Sequence, residues 1–128
     1  MKFIEITNDA GAVIEIPDHQ INFIAKQPLE REFMLALVGA AMKVNGAATT
    51  FEHMKEKMLE SDTNFVKFPI PEGTEALVNP KNILFITSIE LTITTLMFSG
   101  GLKLVVKEGI NTVRSKLTDT SEIQVDWL

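Results

Sequence analysis

The sequence predicts an α+β, mainly β fold made of two pseudo-equivalent modules. Each holds four to five short antiparallel strands and one closing helix. Three observations carry this expectation. Residues 3–24 match residues 65–86 without a gap. The stretch TTLMFSGGLKLVVKE (residues 94–108) has two apolar-rich runs flanking Gly100-Gly101, a hairpin signal, because glycine enters positive φ at no steric cost. Two amphipathic stretches, around residues 50–60 and 109–117, occupy equivalent places in the two halves.

The internal match decides the strands. FIEITNDAGAVIEIPDHQINFI over FVKFPIPEGTEALVNPKNILFI gives identities at Phe3/Phe65, Gly11/Gly73, Ile21/Ile83, Phe23/Phe85 and Ile24/Ile86. Apolar positions also agree, with Ile4 over Val66, Ile6 over Phe68 and Ile16 over Val78. The first module is therefore expected to have strands near 2–7, 12–16, 20–26, 32–38 and 41–45, then a helix near 50–60. The second has strands near 64–69, 74–79, 82–89, 91–98 and 102–107, then a helix near 109–117.

Residues 28–44 (PLEREFMLALVGAAMKV) favour helix by propensity, being rich in Leu, Ala and Met. Their counterpart, ITTLMFSGGLKL, is a hairpin, so the repeat predicts strands here, with Gly39-Ala40-Ala41 in the turn. A break in alternation at Leu96, Met97 and Phe98 calls for a bulge near Thr95, or cover on both faces. Phe51, Met54, Met58 and Leu59 keep helical spacing, as do Ile110, Val113 and Leu117. Thr49-x-x-Glu52 reads as a capping box. The tail TDTSEIQVDWL predicts an edge strand over residues 123–127. The boundaries are 1–62 and 63–128, sharing one compact unit.

A strand, a glycine-containing turn, a strand ending in VNPKNILFI, and then TTLMFSGGLKLVVKEGINTVRSKL resemble the small bacterial FlbD-type flagellar proteins. The likeness covers residues 65–117 and extends to the first half in outline, as a tandem duplication. It implies a β-rich module closed by a helix, and it assigns a biochemical role to no residue.

Composition narrows the function. The chain has 128 residues, 45% hydrophobic and 23% charged, which fits a globular domain. A net charge of −5 opposes generic attraction to phosphate backbones. Cysteine is absent, removing disulfides and thiolate chemistry. The opening MKFIEITNDAG does not read as a signal peptide. The longest apolar stretch, residues 33–42, is about half the ~20 residues that span a bilayer. The expectation is a cytoplasmic protein with no membrane partner.

Chemistry-bearing patterns are sparse. His19 and His53 have no counterparts in the other module, and His53 with Glu52 or Glu56 makes only two ligands where zinc needs three or four. No carboxylate dyad, phosphate loop or nucleophile elbow is present. The expectation is no enzyme, no catalytic residue, no metal and no cofactor. Lys103, Lys107, Arg114 and Lys116 gather positive charge on the last hairpin and helix and are the candidate anion or nucleic-acid contacts. With no tyrosine and one tryptophan for base stacking, nucleic acid is an unfavoured partner.

Surplus hydrophobicity sets the leading functional expectation. EFMLALVGAAM is apolar on both faces, and Phe3 and Phe65 fall opposite the face of their inward neighbours. Phe3, Phe33, Leu35, Leu37, Phe65, Leu96 and Phe98 are therefore the candidate interface of a non-enzymatic, self-assembling or protein-interaction module, a homo-oligomer. The alternative is a small-ligand or nucleic-acid binding protein with its ligand held between modules or subunits.

Overall fold

The computed structural model describes residues 2–8, 10–71 and 75–119. Five strands come first: β1 (Phe3–Thr7), β2 (Val13–Pro17), β3 (Ile21–Ala25), β4 (Phe33–Leu37) and β5 (Ala40–Val44). Helix α1 (Phe51–Leu59) follows. The same order then recurs as β6 (Val66–Pro69), β7 (Glu75–Val78), β8 (Ile83–Glu90), β9 (Ile93–Phe98), β10 (Lys103–Val106) and α2 (Ile110–Asp119). The fold is α+β and mainly β, as the sequence predicts. Residues 33–37 and 40–44 form strands despite their helical propensity, with Phe33, Leu35 and Val44 packed in one core and Ala36 in another. The expected edge strand over residues 123–127 lies outside the described residues.

Three antiparallel sheets result, ordered β1-β2, β5-β4-β3-β7-β6 and β10-β9-β8. The middle sheet crosses the halves: β3 pairs with β7, setting Phe23 opposite Val78 and Ile24 opposite Leu77. Both its faces are covered. Ile24, Leu35 and Leu77 join Ile6, Phe51, Met54 and Met58 in one core, under β1-β2 and α1. Phe23, Ala36 and Val78 join Leu96, Phe98, Val106 and Val113 in a second, under the last sheet and α2. A strand buried on both faces reads as a continuous apolar run, and Leu35 and Ala36 on β4 are buried on opposite faces in this way, while Met34, Val38, Ala40 and Ala41 stay exposed.

This burial corrects the expected assembly surface. Phe33, Leu35, Phe65, Leu96 and Phe98 are all buried inside a single chain, and Leu37 packs half-buried on the first core. Only Phe3 stays largely exposed. Phe33, Leu35, Phe65, Leu96 and Phe98 fill the two cores and have no surface to offer another subunit.

Local details differ from the sequence reading where a side chain finds an unforeseen partner. The first hairpin turns at Val38-Gly39, with Leu37 opposite Ala40, so Ala40 and Ala41 belong to β5. The last hairpin has a three-residue loop, Ser99 to Gly101, closed by the Phe98 N–H donating to the Leu102 carbonyl. Gly100 and Gly101 both take positive φ, 78° and 80°. Strand β9 alternates without interruption, and the register shifts fall on β8. Thr94 joins Leu96 and Phe98 on the inward face of β9, where its hydroxyl donates to the Glu108 carbonyl at 2.8 Å. Helix α1 is capped by Thr50, whose Oγ1 accepts from the His53 N–H at 3.1 Å. Thr49 Oγ1 accepts instead from the Thr7 N–H at 2.9 Å.

Buried asparagines tie the halves together. The Asn79 N–H donates to the Asn22 carbonyl at 2.8 Å, and its amide donates to the Ile21 carbonyl at 3.2 Å. The Asn22 amide donates to the Leu37 carbonyl at 3.1 Å. These bonds satisfy polar groups that would otherwise be costly to bury at the start of β3.

Candidate nucleic-acid interface

A groove of about 480 Å³ opens between the middle sheet and β10. Ala25, Phe33, Ile70 and Leu104 contribute its apolar walls, and Lys26, Lys43 and Lys103 bring three cations to it. Each lysine comes from a different element. Lys26 directly follows β3, Lys43 lies on β5 opposite Met34, and Lys103 opens β10 opposite Met97. Lys43 and Lys103 are exposed, and among the described residues neither makes an ion pair. Lys26 Nζ donates to the Gln27 carbonyl at 3.2 Å.

The loop between β3 and β4 forms one bank, contributing Gln27, Glu30 and Glu32 as well as Lys26. At its tip Leu29 is fully exposed and has a left-handed φ of 68°. A branched side chain in that region carries backbone strain. The loop is braced below by Gly46 (φ 82°), which packs directly on the Arg31 backbone. The two glutamates offset part of the cationic field, so a polyanion would bind where its phosphates meet lysines and avoid the Glu30 side.

The structure separates the four expected contacts. Lys103 lies in the groove. Lys107 is exposed just past β10, with its backbone N–H donating to the Pro69 carbonyl at 2.7 Å. Arg114 Nη1 donates to Asn111 Oδ1 at 2.9 Å on the surface of α2. Lys116 is committed to Glu108, with Nζ 2.8 Å from Oε1, and lies 5.0 Å from the centre of the Phe68 ring. Lys26 and Lys43 escaped sequence reasoning because nothing along the chain links them to Lys103; only the pairing of the strands does.

The remaining polar candidates do not converge. His19 and His53 are exposed, and among the described residues no three His, Asp or Glu side chains form a metal-binding group. Asp18 is buried, its Oδ2 accepting from the Asp62 N–H at 3.2 Å, a structural tie between the 3₁₀ turn at Asp18–Gln20 and the segment after α1. No helix among the described residues is long and apolar enough to cross a membrane.

No known protein family and no curated protein matches the sequence. The fold does match a solved structure, the LytTr DNA-binding domain of a putative methyl-accepting/DNA response regulator from Bacillus cereus. The TM-score is 0.64 at 12% identity, over 92% of this chain and 97% of that one. At this identity the likeness shows the fold. It overturns the leading expectation of a self-assembling module and the ranking of nucleic acid as an unfavoured partner. The architecture is shared with that domain, and of the side chains offered for assembly all but Phe3 are buried or half-buried inside the single chain.

Proposed function

We propose that this chain is a non-enzymatic DNA-binding domain that meets the phosphate backbone at the Lys26–Lys43–Lys103 groove. The observation that carries the reading is the convergence of three lysines from separate elements, in a chain of net charge −5, on a fold shared with a DNA-binding domain. The ligand then lies between the two halves, since β3 and β5 come from one and β10 from the other. The recurring element order supports a tandem duplication of one FlbD-like module as its origin. On this reading the protein acts where DNA is, which fits the expected cytoplasmic location.

Three phosphate contacts would give a slope of log K against log salt of roughly −3, shallow beside that of strongly basic binders. Fluorescence anisotropy with a labelled random-sequence duplex, across a salt series, tests the reading. Lys43→Glu with Lys103→Glu should reduce affinity at low salt by at least about tenfold and flatten the slope by about 2. Lys107→Glu with Arg114→Glu should have the smaller effect. No binding by the natural chain at low salt, or equal losses in both double variants, would overturn the assignment.

A further inference from the structure

Phosphate contacts use the lysines of the groove and leave its floor unexplained. Phe23, Ile70 and Leu104 reach it from the second core and Phe33 from the first, so the groove bottoms on apolar side chains. Phosphate oxygens gain nothing from such a surface, because a charged group is costly to bring against apolar atoms that offer no hydrogen bond. A concave apolar surface with a few convergent polar groups is instead the ordinary form of a small-molecule site. The volume of about 480 Å³ falls within the range of roughly 300–1,000 Å³ that such sites occupy.

We propose that the groove binds a small amphipathic carboxylate, its apolar body on this floor and its head against Lys43 and Lys103. The fold fixes where the charge lies. The turns at Gly39 and Gly100 touch, and β5 and β10 leave those turns carrying Lys43 and Lys103. Two exposed cations, neither in an ion pair among the described residues, therefore border one apolar floor. On the loop bank Lys26 is offset by Glu30 and Glu32. That asymmetry selects a ligand with one anionic end, because the glutamates repel a second. A carboxylate carries a single charge and offers one oxygen to each ammonium, whereas a phosphate monoester carries about two charges. A bound ligand occupies the lysines that DNA needs and so regulates DNA binding, a consequence that rests on the DNA reading while the site itself does not.

Naphthoate is the test probe, with naphthamide lacking its charge and acetate lacking its apolar body. Titrated into the isotope-labelled full chain, naphthoate should shift the amides of the groove residues Ala25, Ile70, Leu104 and Val105 along one saturable curve. Its dissociation constant should fall at or below about 1 mM, the affinity expected of a ligand this small. Naphthamide and acetate should each bind at least about tenfold more weakly, having lost the charged contact or the buried apolar area. Lys43→Gln with Lys103→Gln, both on the surface, should weaken naphthoate by a similar factor and leave naphthamide unchanged. Saturating naphthoate should also release a labelled duplex from the natural chain. Shifts absent from the groove, equal binding of naphthoate and naphthamide, or no response to the lysine variant would overturn the site. Groove shifts in a chain that binds no duplex would support the site and overturn only the DNA reading. Naphthoate and duplex bound together without competition would overturn the regulatory consequence.

Discussion

Gly39 and Gly100 bring the hairpin turns of the two halves into contact: a Cβ placed on Gly100 would lie 3.7 Å from the Cα of Gly39. The approach is ordinary van der Waals contact, so space does not forbid a side chain at Gly100. Its backbone does, because φ is 78°. Gly100→Ala should destabilise by about 1 kcal/mol, the usual cost of a β-carbon in the left-handed region. Urea unfolding checks it, with the midpoint falling and the slope unchanged.

Phe98 tests whether the apolar surplus is internal. It is 1% exposed, and its ring centre lies 5.2 Å from that of Phe23 in the second core. Phe98→Ala should cost about 3–5 kcal/mol through lost burial and a cavity. The loss should be independent of protein concentration, because no subunit contact is removed. Denaturant melts at two widely separated concentrations distinguish the cases, and a concentration-dependent midpoint would return Phe98 to an interface.

Much of this architecture is legible in the sequence, because the repeat supplies what propensity misjudges. Residues 33–44 look helical alone, and only their alignment with the Gly100-Gly101 hairpin marks them as β4 and β5. What escaped is long-range. Nothing local says that β3 pairs with β7 rather than with a strand of its own half, and that one pairing creates the doubly buried middle sheet. The same blindness hid the groove, whose three lysines meet only once β5 and β10 are placed. Short polar side chains were misjudged for a different reason. Thr94 and Thr49 are buried because Glu108 and Thr7 offer backbone partners, which spacing cannot reveal.

Strain at Leu29 gives a prediction of opposite sign. Its φ of 68° and full exposure mean that the side chain gains no burial in return for an unfavourable backbone. Leu29→Gly should relieve up to about 1 kcal/mol of strain, partly offset by the greater freedom of the unfolded chain. Thermal unfolding should show a small rise or no change in Tm, where a random surface leucine replaced by glycine would lower it.

The ion pair joining α1 to β7 sets a pH dependence. Hydrogen bonding from Lys55, 2.7 Å away, holds the Glu75 carboxyl below its ordinary 4.5, and the same bond raises the Lys55 ammonium above 10.5. A depressed carboxylate contributes stability that is fully present above pH 4.5 and is lost as pH falls through its folded value. The raised lysine contributes fully below pH 10.5 and loses its share above that. Glu75 is 39% exposed, so solvent screening limits the pair to under about 1 kcal/mol. Glu75→Gln should lower stability slightly at neutral pH and narrow its difference from the natural chain below pH 4.5. Urea midpoints across that range check the sign.

Gly46 links the fold to the groove most directly. It is buried with φ 82°, and a Cβ there would collide with the carbonyl oxygen of Arg31, a backbone atom with little room to yield. Gly46→Ala therefore meets both a disallowed φ and a clash, and should cost more than Gly100→Ala, on the order of 2–4 kcal/mol. To relieve the clash, the β3–β4 loop must move, carrying Lys26, Glu30 and Glu32 with it. The folded fraction of Gly46→Ala should then bind duplex DNA more weakly than the natural chain, whereas Gly100→Ala should bind equally well. Anisotropy titrations at a temperature where both variants are fully folded separate the two effects. Equal affinities for both would show that the loop's position does not govern the lysine groove.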